Sequence, residues 1–299
     1  MSEINLQLKE RHISKMASLY KFSQETMDTI GHQVITSSDD TGVQRNGGKL
    51  GSRFAPKTIL NELGKLEVPD NPLPILVNEV TPKRHKKSFV NSQIYQTEKI
   101  KDLLSRKLNS IVHIGGGHDH ILPLLNAIDQ SRNKKKILVV NIDAHTDTRI
   151  DKLPHSGTPF RQFGESSKNK FELIQLGVRR PTNNERNFDP ISNTEMHCLP
   201  FFEEDDLVRA TELINKLNDK NTELVLSIDC DGIDLRDIPA VSAPNPFGTP
   251  FPLLLRLLSI LRPSFNILGV YELNPLLDNH SNNSSKKVAW IINDFLLGV

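Results

Sequence analysis

The chain has 299 residues, 37% of them hydrophobic, two cysteines and a formal net charge of +1. This charge argues against nucleic-acid and membrane-surface binding, and no apolar run approaches the length of a membrane span. Two cysteines imply no disulfide framework, and residues 1–15 have no apolar core like that of a signal peptide, so we expect a cytoplasmic protein.

Strand-like apolar segments alternate with helical segments along the chain. Residues 1–33 are expected to be a helical lead-in, and a glycine-rich loop at 42–51 precedes a helix near 56–66. The predicted strands are 34–36, 74–80, 110–114, 136–142, 171–178, 195–199, 223–228 and 267–273. The later predicted helices are 90–108, 120–131, 160–165, 204–217, 250–261 and 285–297. This alternation predicts an α/β fold, a parallel sheet covered on both faces, as a single domain over residues 1–299.

Two acidic clusters each follow an apolar predicted strand, one at 143–147 and one at 229–231. Residues two apart in an extended chain point to the same face, so Asp143, His145 and Asp147 can converge on one point. The same holds for the two aspartates of the second cluster. Burying unpaired carboxylates costs on the order of several kcal/mol each, and a bound cation is the simplest compensation.

A third segment completes the pattern, because His118 follows three glycines at the end of the predicted strand 110–114. Ligands of open α/β sheets gather at this carboxyl edge of the strands. The candidate metal ligands are His118, Asp143, His145, Asp147, Asp229 and Asp231. Mixed oxygen and nitrogen ligands favour two manganese ions, or a similar metal, over thiolate-bound zinc.

Four motifs, in order, resemble the ureohydrolases, the superfamily of arginase, agmatinase, guanidino-acid hydrolases and formimidoylglutamase. They are Gly-Gly-Gly-His-Asp at 115–119, Asn-Ile-Asp-Ala-His-Thr-Asp at 141–147, Ser-Ile-Asp-Cys-Asp-Gly-Ile-Asp at 227–234 and Tyr-Glu-Leu-Asn-Pro at 271–275. The resemblance spans most of the chain. It implies a three-layer αβα sandwich with a mostly parallel, about eight-stranded sheet, two Mn2+ per subunit, and a homo-oligomer that is a trimer or hexamer.

The resemblance also implies roles for the individual residues. One ion would be bound by His118, Asp143, Asp147 and Asp229, and the other by Asp143, His145, Asp229 and Asp231, with Asp143 and Asp229 bridging. A hydroxide between the metals would be the nucleophile. Asp147 and Glu272 would be catalytic, and Glu272 would also bind the cationic amidine or guanidine of the substrate.

The segment at 155–160 differs from arginase and agmatinase, which have a histidine where this chain has Ser156. Ser-Gly-Thr-Pro-Phe is similar to the formimidoylglutamase branch. His155 is expected to be an exposed loop residue, because adjacent side chains point apart, with a proton-shuttle role as the alternative. Glu272 apart, the expected substrate-binding residues are Arg149, Ser156, Gly157, Arg180 and Asn183; arginine binds carboxylates bidentately.

These features favour a hydrolase acting on a small linear amidine. The first hypothesis is conversion of N-formimidoyl-L-glutamate and water to L-glutamate and formamide, in histidine degradation. One alternative is a urea-releasing ureohydrolase that acts on arginine, agmatine or a guanidino acid. A second alternative is a non-catalytic paralogue, but the presence of all six candidate metal ligands argues against it. A third is a nucleotide-binding protein, but the glycine-rich loop at 42–51 lacks the spacing of a phosphate-binding loop.

Overall fold

The computed structural model describes residues 31–66, 75–82, 88–106, 108–131 and 136–297. Eight strands lie within these ranges, at the places where the apolar segments predict them. They are β1 (Gly31–Ser37), β2 (Ile75–Glu79), β3 (Leu108–Gly115), β4 (Lys136–Ile142), β5 (Lys170–Leu176), β6 (Thr194–Leu199), β7 (Thr222–Asp229) and β8 (Ile267–Tyr271). They form one sheet in the order β2-β1-β3-β8-β7-β4-β5-β6, and every pairing is parallel.

Eight α-helices lie in the same ranges. They are α1 (Thr41–Arg45), α2 (Ala55–Leu63), α3 (Phe89–Leu104), α4 (Ile121–Ser131), α5 (Pro159–Ser166), α6 (Glu204–Leu217), α7 (Phe251–Leu261) and α8 (Asn283–Leu297). No helix in the described part of the chain is both long enough and apolar enough to cross a membrane.

Alternate residues of the strands build two separate hydrophobic cores. In β4, Leu138 and Val140 belong to the core that also contains residues of α2, α6, α7 and α8. Ile137 and Val139 belong to the other core, with residues of α3, α4 and α5. Because strand side chains alternate between faces, this division places a helical layer on each side of the sheet. The predicted three-layer αβα sandwich is confirmed.

The start of the described chain corrects one prediction. Residues 1–30 of the expected helical lead-in lie outside the described residues, but residues 31–33 already belong to β1. Gly31, His32 and Gln33 pair with residues of β3, so sheet pairing decides their conformation. The helical assignment was wrong for these three residues.

Other element boundaries also differ from the predicted ones. The glycine-rich segment predicted as a loop contains α1, which begins where the Asp39 carboxylate accepts hydrogen bonds from the Thr41 N–H and hydroxyl groups. Strands β5 and β8 end two residues early, because the residues that follow them, Gly177 and Glu272, have positive φ angles of 89° and 64°.

Candidate metal centre

Four neighbouring strands, β3, β8, β7 and β4, end at one edge of the sheet, and each is followed by polar residues. Asp143 and Asp229 lie at the ends of β4 and β7, and His118 follows β3. A close approach of two chain segments is required here: a Cβ atom on Gly232 would lie 2.6 Å from Asp143 Cα. Glycine at 232 therefore lets the two acidic clusters meet.

The first cluster surrounds the buried imidazole of His118. Its Nδ1 lies 2.9 Å from Asp147 Oδ2, 3.1 Å from Asp229 Oδ2 and 3.3 Å from Asp143 Oδ2. The other ring nitrogen, Nε2, is 2.9 Å from Ser227 Oγ, which fixes the plane of the ring. Tyr271 stacks on the same ring, with centroids 4.9 Å apart.

The second cluster shares Asp143 with the first. His145 Nδ1 lies 3.3 Å from Asp231 Oδ1 and 3.5 Å from Asp143 Oδ1. Asp229, which the resemblance implies as a second shared ligand, belongs only to the first cluster here, and its Oδ1 accepts a hydrogen bond from Asp231 N. The six candidate ligands therefore form two adjoining groups, joined at Asp143.

The donor set fits divalent cations. His118 Nδ1 and Asp231 Oδ1 are buried, and neither has a hydrogen-bond partner within the described structure. Burying a ring nitrogen or a carboxylate oxygen without a hydrogen-bond partner costs free energy. Cations that bind the nitrogen and the oxygen would remove this cost. Carboxylate and imidazole ligands of this kind suit manganese and similar metals.

The pKa shifts show the same excess of negative charge. Burial, helped by the Asp143 charge, raises the pKa of Asp147 to about 6, and burial with two neighbouring carboxylates raises that of Asp229 well above its usual value. The Asp231 carboxylate raises the pKa of His145 far above its ordinary value. Burial lowers the pKa of His118, but the three carboxylates around it outweigh that effect and raise it well above normal. The site thus favours positive charge.

Glu272 and Asp147 both have the left-handed backbone conformation that non-glycine residues rarely adopt, with φ angles of 64° and 50°. Glu272 Oε1 accepts a hydrogen bond from His118 N at 3.0 Å. Burial raises the pKa of Glu272 to about 8. Two buried carboxylates are thus held in a costly conformation beside the clusters, as is common at functional sites.

A cavity of about 510 Å³ opens over the two clusters. Nine of the residues predicted to bind metal or substrate, or to act in catalysis, line it: His145, Asp147, Arg149, Ser156, Gly157, Asn183, Asp229, Asp231 and Glu272. The remaining two ligands, His118 and Asp143, are fully buried beneath.

Two expected substrate contacts have other partners in the structure. Arg180 does not line the cavity; its guanidinium lies 3.3 Å from Glu185 and 5.0 Å from the Phe188 ring centroid. Asn183 lines the cavity, but its amide braces the 143–147 segment, accepting from Thr146 N and donating to Ala144 O.

His155 is buried, so the expectation of an exposed loop histidine was wrong. Only 5% of the residue is accessible, and both ring nitrogens have partners: Nδ1 accepts from Gly157 N at 3.0 Å, and Nε2 lies 2.9 Å from Asp151 Oδ2. The loop folds back on itself, which points the ring away from solvent. Because His155 does not line the cavity, this geometry gives it no access to a leaving group.

Several contributing residues were not singled out from the sequence. Ser227 precedes Asp229 by two positions in a strand, so the period-two rule does place it on the same face, beneath His118. Asn46 and Asn187 also line the cavity, from segments far apart in the chain. No local pattern marks Asn187, because only tertiary packing brings it to the site.

Comparison with known proteins agrees with this geometry. Residues 38–298 match the model of the Arginase family. The chain is 30% identical to a formimidoylglutamase of Geobacillus sp. (strain WCH70) over 264 residues, which is 84% of this chain and 78% of that protein. It is 28% identical to a formimidoylglutamase of Cupriavidus pinatubonensis over 270 residues, covering 84% and 83% of the two chains. In fold it is similar to Trypanosoma cruzi formiminoglutamase with Mn2+ (TM-score 0.78, 22% identity, 94% and 97% coverage).

Proposed function

The chain belongs to the arginase family, and on this premise we propose that it hydrolyses N-formimidoyl-L-glutamate to L-glutamate and formamide. The relatives named formimidoylglutamase support this choice among the substrates of linear amidine hydrolases. We further propose that the reaction serves histidine degradation in the cytoplasm, as expected from the resemblance.

The observation that carries the proposal is the presence of acidic and basic side chains in the lining of one cavity. Asp147, Asp229, Asp231 and Glu272 line it, and so does Arg149. Formimidoylglutamate has the complementary arrangement, a cationic amidine and a tail with two carboxylates. Arginine binds carboxylates through paired N–H groups, so Arg149 is the proposed partner of the tail.

The two clusters would hold the metal ions. We propose His118, Asp143, Asp147 and Asp229 for one Mn2+, and Asp143, His145 and Asp231 for a second, with Asp229 as a further shared ligand. Bound there, divalent ions would supply a water molecule that ionises near neutral pH.

The remaining chemistry belongs to the protein's own carboxylates. Glu272 would accept hydrogen bonds from the amidinium, and its position next to His118 would hold the reacting carbon beside the metal clusters. Asp147 would accept the proton that the attacking water gives up. Ser156 would hydrogen-bond to the glutamate part of the substrate. Its hydroxyl accepts a hydrogen bond from Asn46 Nδ2 at 3.1 Å.

A substrate with a cationic tail, such as arginine or agmatine, would require a free acid near Arg149. Asp151 is the acid in that loop, and it already lies 2.9 Å from both Arg149 Nε and His155 Nε2. This pairing favours the anionic tail over the urea-releasing alternatives. The trimer or hexamer implied by the resemblance stays a prediction.

Product analysis tests the proposal directly. Manganese-loaded protein is incubated separately with N-formimidoyl-L-glutamate, arginine and agmatine, and the products are separated by chromatography. We expect glutamate and formamide from the first substrate and no urea from the others. Urea from arginine or agmatine, or no turnover of any substrate by protein that contains two metal ions per chain, would contradict it.

A further inference from the structure

His155 forms a buried junction in the loop that carries Arg149. Its Nδ1 accepts a hydrogen bond from Gly157 N, so the ring proton lies on Nε2, which donates to Asp151 Oδ2 at 2.9 Å. Burial lowers the pKa of His155, and the charges of Arg149 and Arg45 lower it further, while Asp151 opposes them. The neutral tautomer that these two contacts require is therefore the favoured one near pH 7.

Asp151 links this ring to the guanidinium in the cavity. Its Oδ2 lies 2.9 Å from Arg149 Nε as well as from His155 Nε2. On another edge of the guanidinium, Arg149 Nη1 donates to Asn46 Oδ1 at 2.6 Å. Within the described structure, two of the five N–H groups of the guanidinium thus meet protein acceptors, and three remain for a ligand.

Gly157 packs between the two side chains. A Cβ atom at this position would lie 3.0 Å from Arg149 Cδ and 3.1 Å from His155 Cε1, and Gly157 O accepts from Arg149 N. The stem of the arginine and the imidazole ring therefore lie against the same backbone.

We propose that His155 is a positioning residue, which orients Asp151 so that Asp151 holds the Arg149 guanidinium ready for an anionic group of the substrate. A free arginine side chain samples many rotamers, and fixing one of them costs conformational entropy. A guanidinium that is fixed before binding does not lose it on binding, which favours affinity. The identity of the anion, a carboxylate of formimidoylglutamate, rests on the proposed function. The contacts from His155 through Asp151 to Arg149 do not depend on that function.

Chemical reactivity of Arg149 tests the positioning without any substrate. Phenylglyoxal modification is followed by peptide mass mapping, with the exposed Arg186 as standard in each digest. We expect Arg149 to react at least three times faster in His155→Ala than in the parent protein. His155→Gln, which retains an N–H donor, should restore most of the protection. An unchanged rate at Arg149 would overturn the proposal.

Two further variants protect this test against misfolding. The Asp151 side chain is 40% exposed, so Asp151→Asn creates no buried cavity; its amide oxygen can still accept from His155 Nε2, but the charge that holds Arg149 is lost, and the reactivity of Arg149 should increase similarly. His197→Ala is the matched control, since His197 also lies near a carboxylate, 3.4 Å from Glu172, but outside the cavity. It should leave Arg149 unchanged. Equal effects of the control and His155→Ala would contradict a specific role.

A double-mutant cycle on turnover separates positioning from general loosening of the loop. With N-formimidoyl-L-glutamate, His155→Ala should raise KM five- to twentyfold and change kcat less than twofold. In an Arg149→Ala background the same substitution should leave KM unchanged, because its effect passes through Arg149. Additive effects on KM would overturn the proposal. A parent protein without this turnover, but with Arg149 released in His155→Ala, would contradict only the proposed function.

Discussion

Glu272 is the side chain at which backbone strain, burial and charge coincide. Its φ angle of 64° is costly for a residue with a β-carbon, by about 1–3 kcal/mol. The neighbouring segments maintain it: Glu272 N donates to Gly116 O at 2.8 Å, and Glu272 Oε1 accepts from His118 N. In this conformation the Glu272 carboxylate lies in the cavity lining, beside the two clusters of candidate ligands. Such an arrangement favours function over stability.

Replacing Glu272 by glutamine separates its charge from its shape. The amide oxygen can still accept from His118 N, but the anion for the amidinium is lost. We expect kcat/KM to fall about 10²- to 10³-fold, since a hydrogen bond between a preorganised charged group and the transition state is worth ~3–4 kcal/mol. Manganese content, measured by plasma mass spectrometry, should be unchanged.

Glu172→Gln provides the matched comparison for this prediction. Glu172 is another buried glutamate, with Lys170 as its partner, and it lies on β5 outside the cavity. This variant should retain kcat/KM within about a factor of two, although it loses an ion pair. If Glu272→Gln also stayed within threefold of the parent, Glu272 would not bind the amidinium.

At the scale of the elements, His113 joins three neighbouring strands through one buried ring. From β3, its Nε2 lies 2.9 Å from Ser37 Oγ of β1, and its Nδ1 lies 3.1 Å from Tyr271 OH of β8. Tyr271 in turn stacks on His118. Burial, with a smaller effect of the His120 charge, lowers the pKa of His113 to about 3. The strands therefore pack around a neutral imidazole.

This shift predicts a pH dependence of stability. In the unfolded chain His113 titrates near 6.5, whereas in the folded chain it stays neutral until about pH 3. Between these values the unfolded state binds the extra proton, so this contribution is complete above pH 6.5 and is lost as the pH falls. By pH 5 the loss is ~2 kcal/mol. The decrease in the free energy of unfolding between pH 7.5 and 5 should be about 2 kcal/mol smaller in His113→Gln than in the parent protein.

Urea unfolding of both proteins at the two pH values, with EDTA present to exclude metal-linked protons, measures the difference. His280→Gln replaces an exposed histidine and should show the same pH dependence as the parent protein. An equal loss of stability in His113→Gln and the parent would mean that His113 is charged in the folded state or does not titrate differently there.

The same elements show what the sequence could and could not predict. The eight strands and the ligands at their ends follow from local rules, because apolar runs and the period of two are properties of short segments. The orientation of His155 does not follow, since it depends on Asp151 and Gly157 meeting in a folded loop. Residues 31–33 were likewise assigned to a helix, because their pairing partners in β3 lie more than seventy residues away.

On the scale of the whole molecule, the candidate metal centre lies at the edge of the sheet where four strands end. In the absence of cations its carboxylates repel one another, and burial disfavours their charged forms, so the site opposes the packing of β3, β8, β7 and β4. Cations that bind only the folded chain reverse this balance. We therefore expect the stability of this fold to be coupled to metal binding.

Thermal unfolding should consequently depend on manganese, and Asp143 should be required for this dependence. At one hundred times the dissociation constant, a ligand stabilises by ~2.7 kcal/mol, which corresponds to a rise in Tm of about 4 °C for a chain of this size. EDTA should abolish the rise. Asp143 belongs to both clusters, so Asp143→Asn should reduce the manganese-dependent rise to below about 2 °C. Asp102→Asn, at an exposed position in α3, should retain it. A full rise in Asp143→Asn would place the stabilising manganese outside the clusters and would contradict the assignment of Asp143 as the shared ligand.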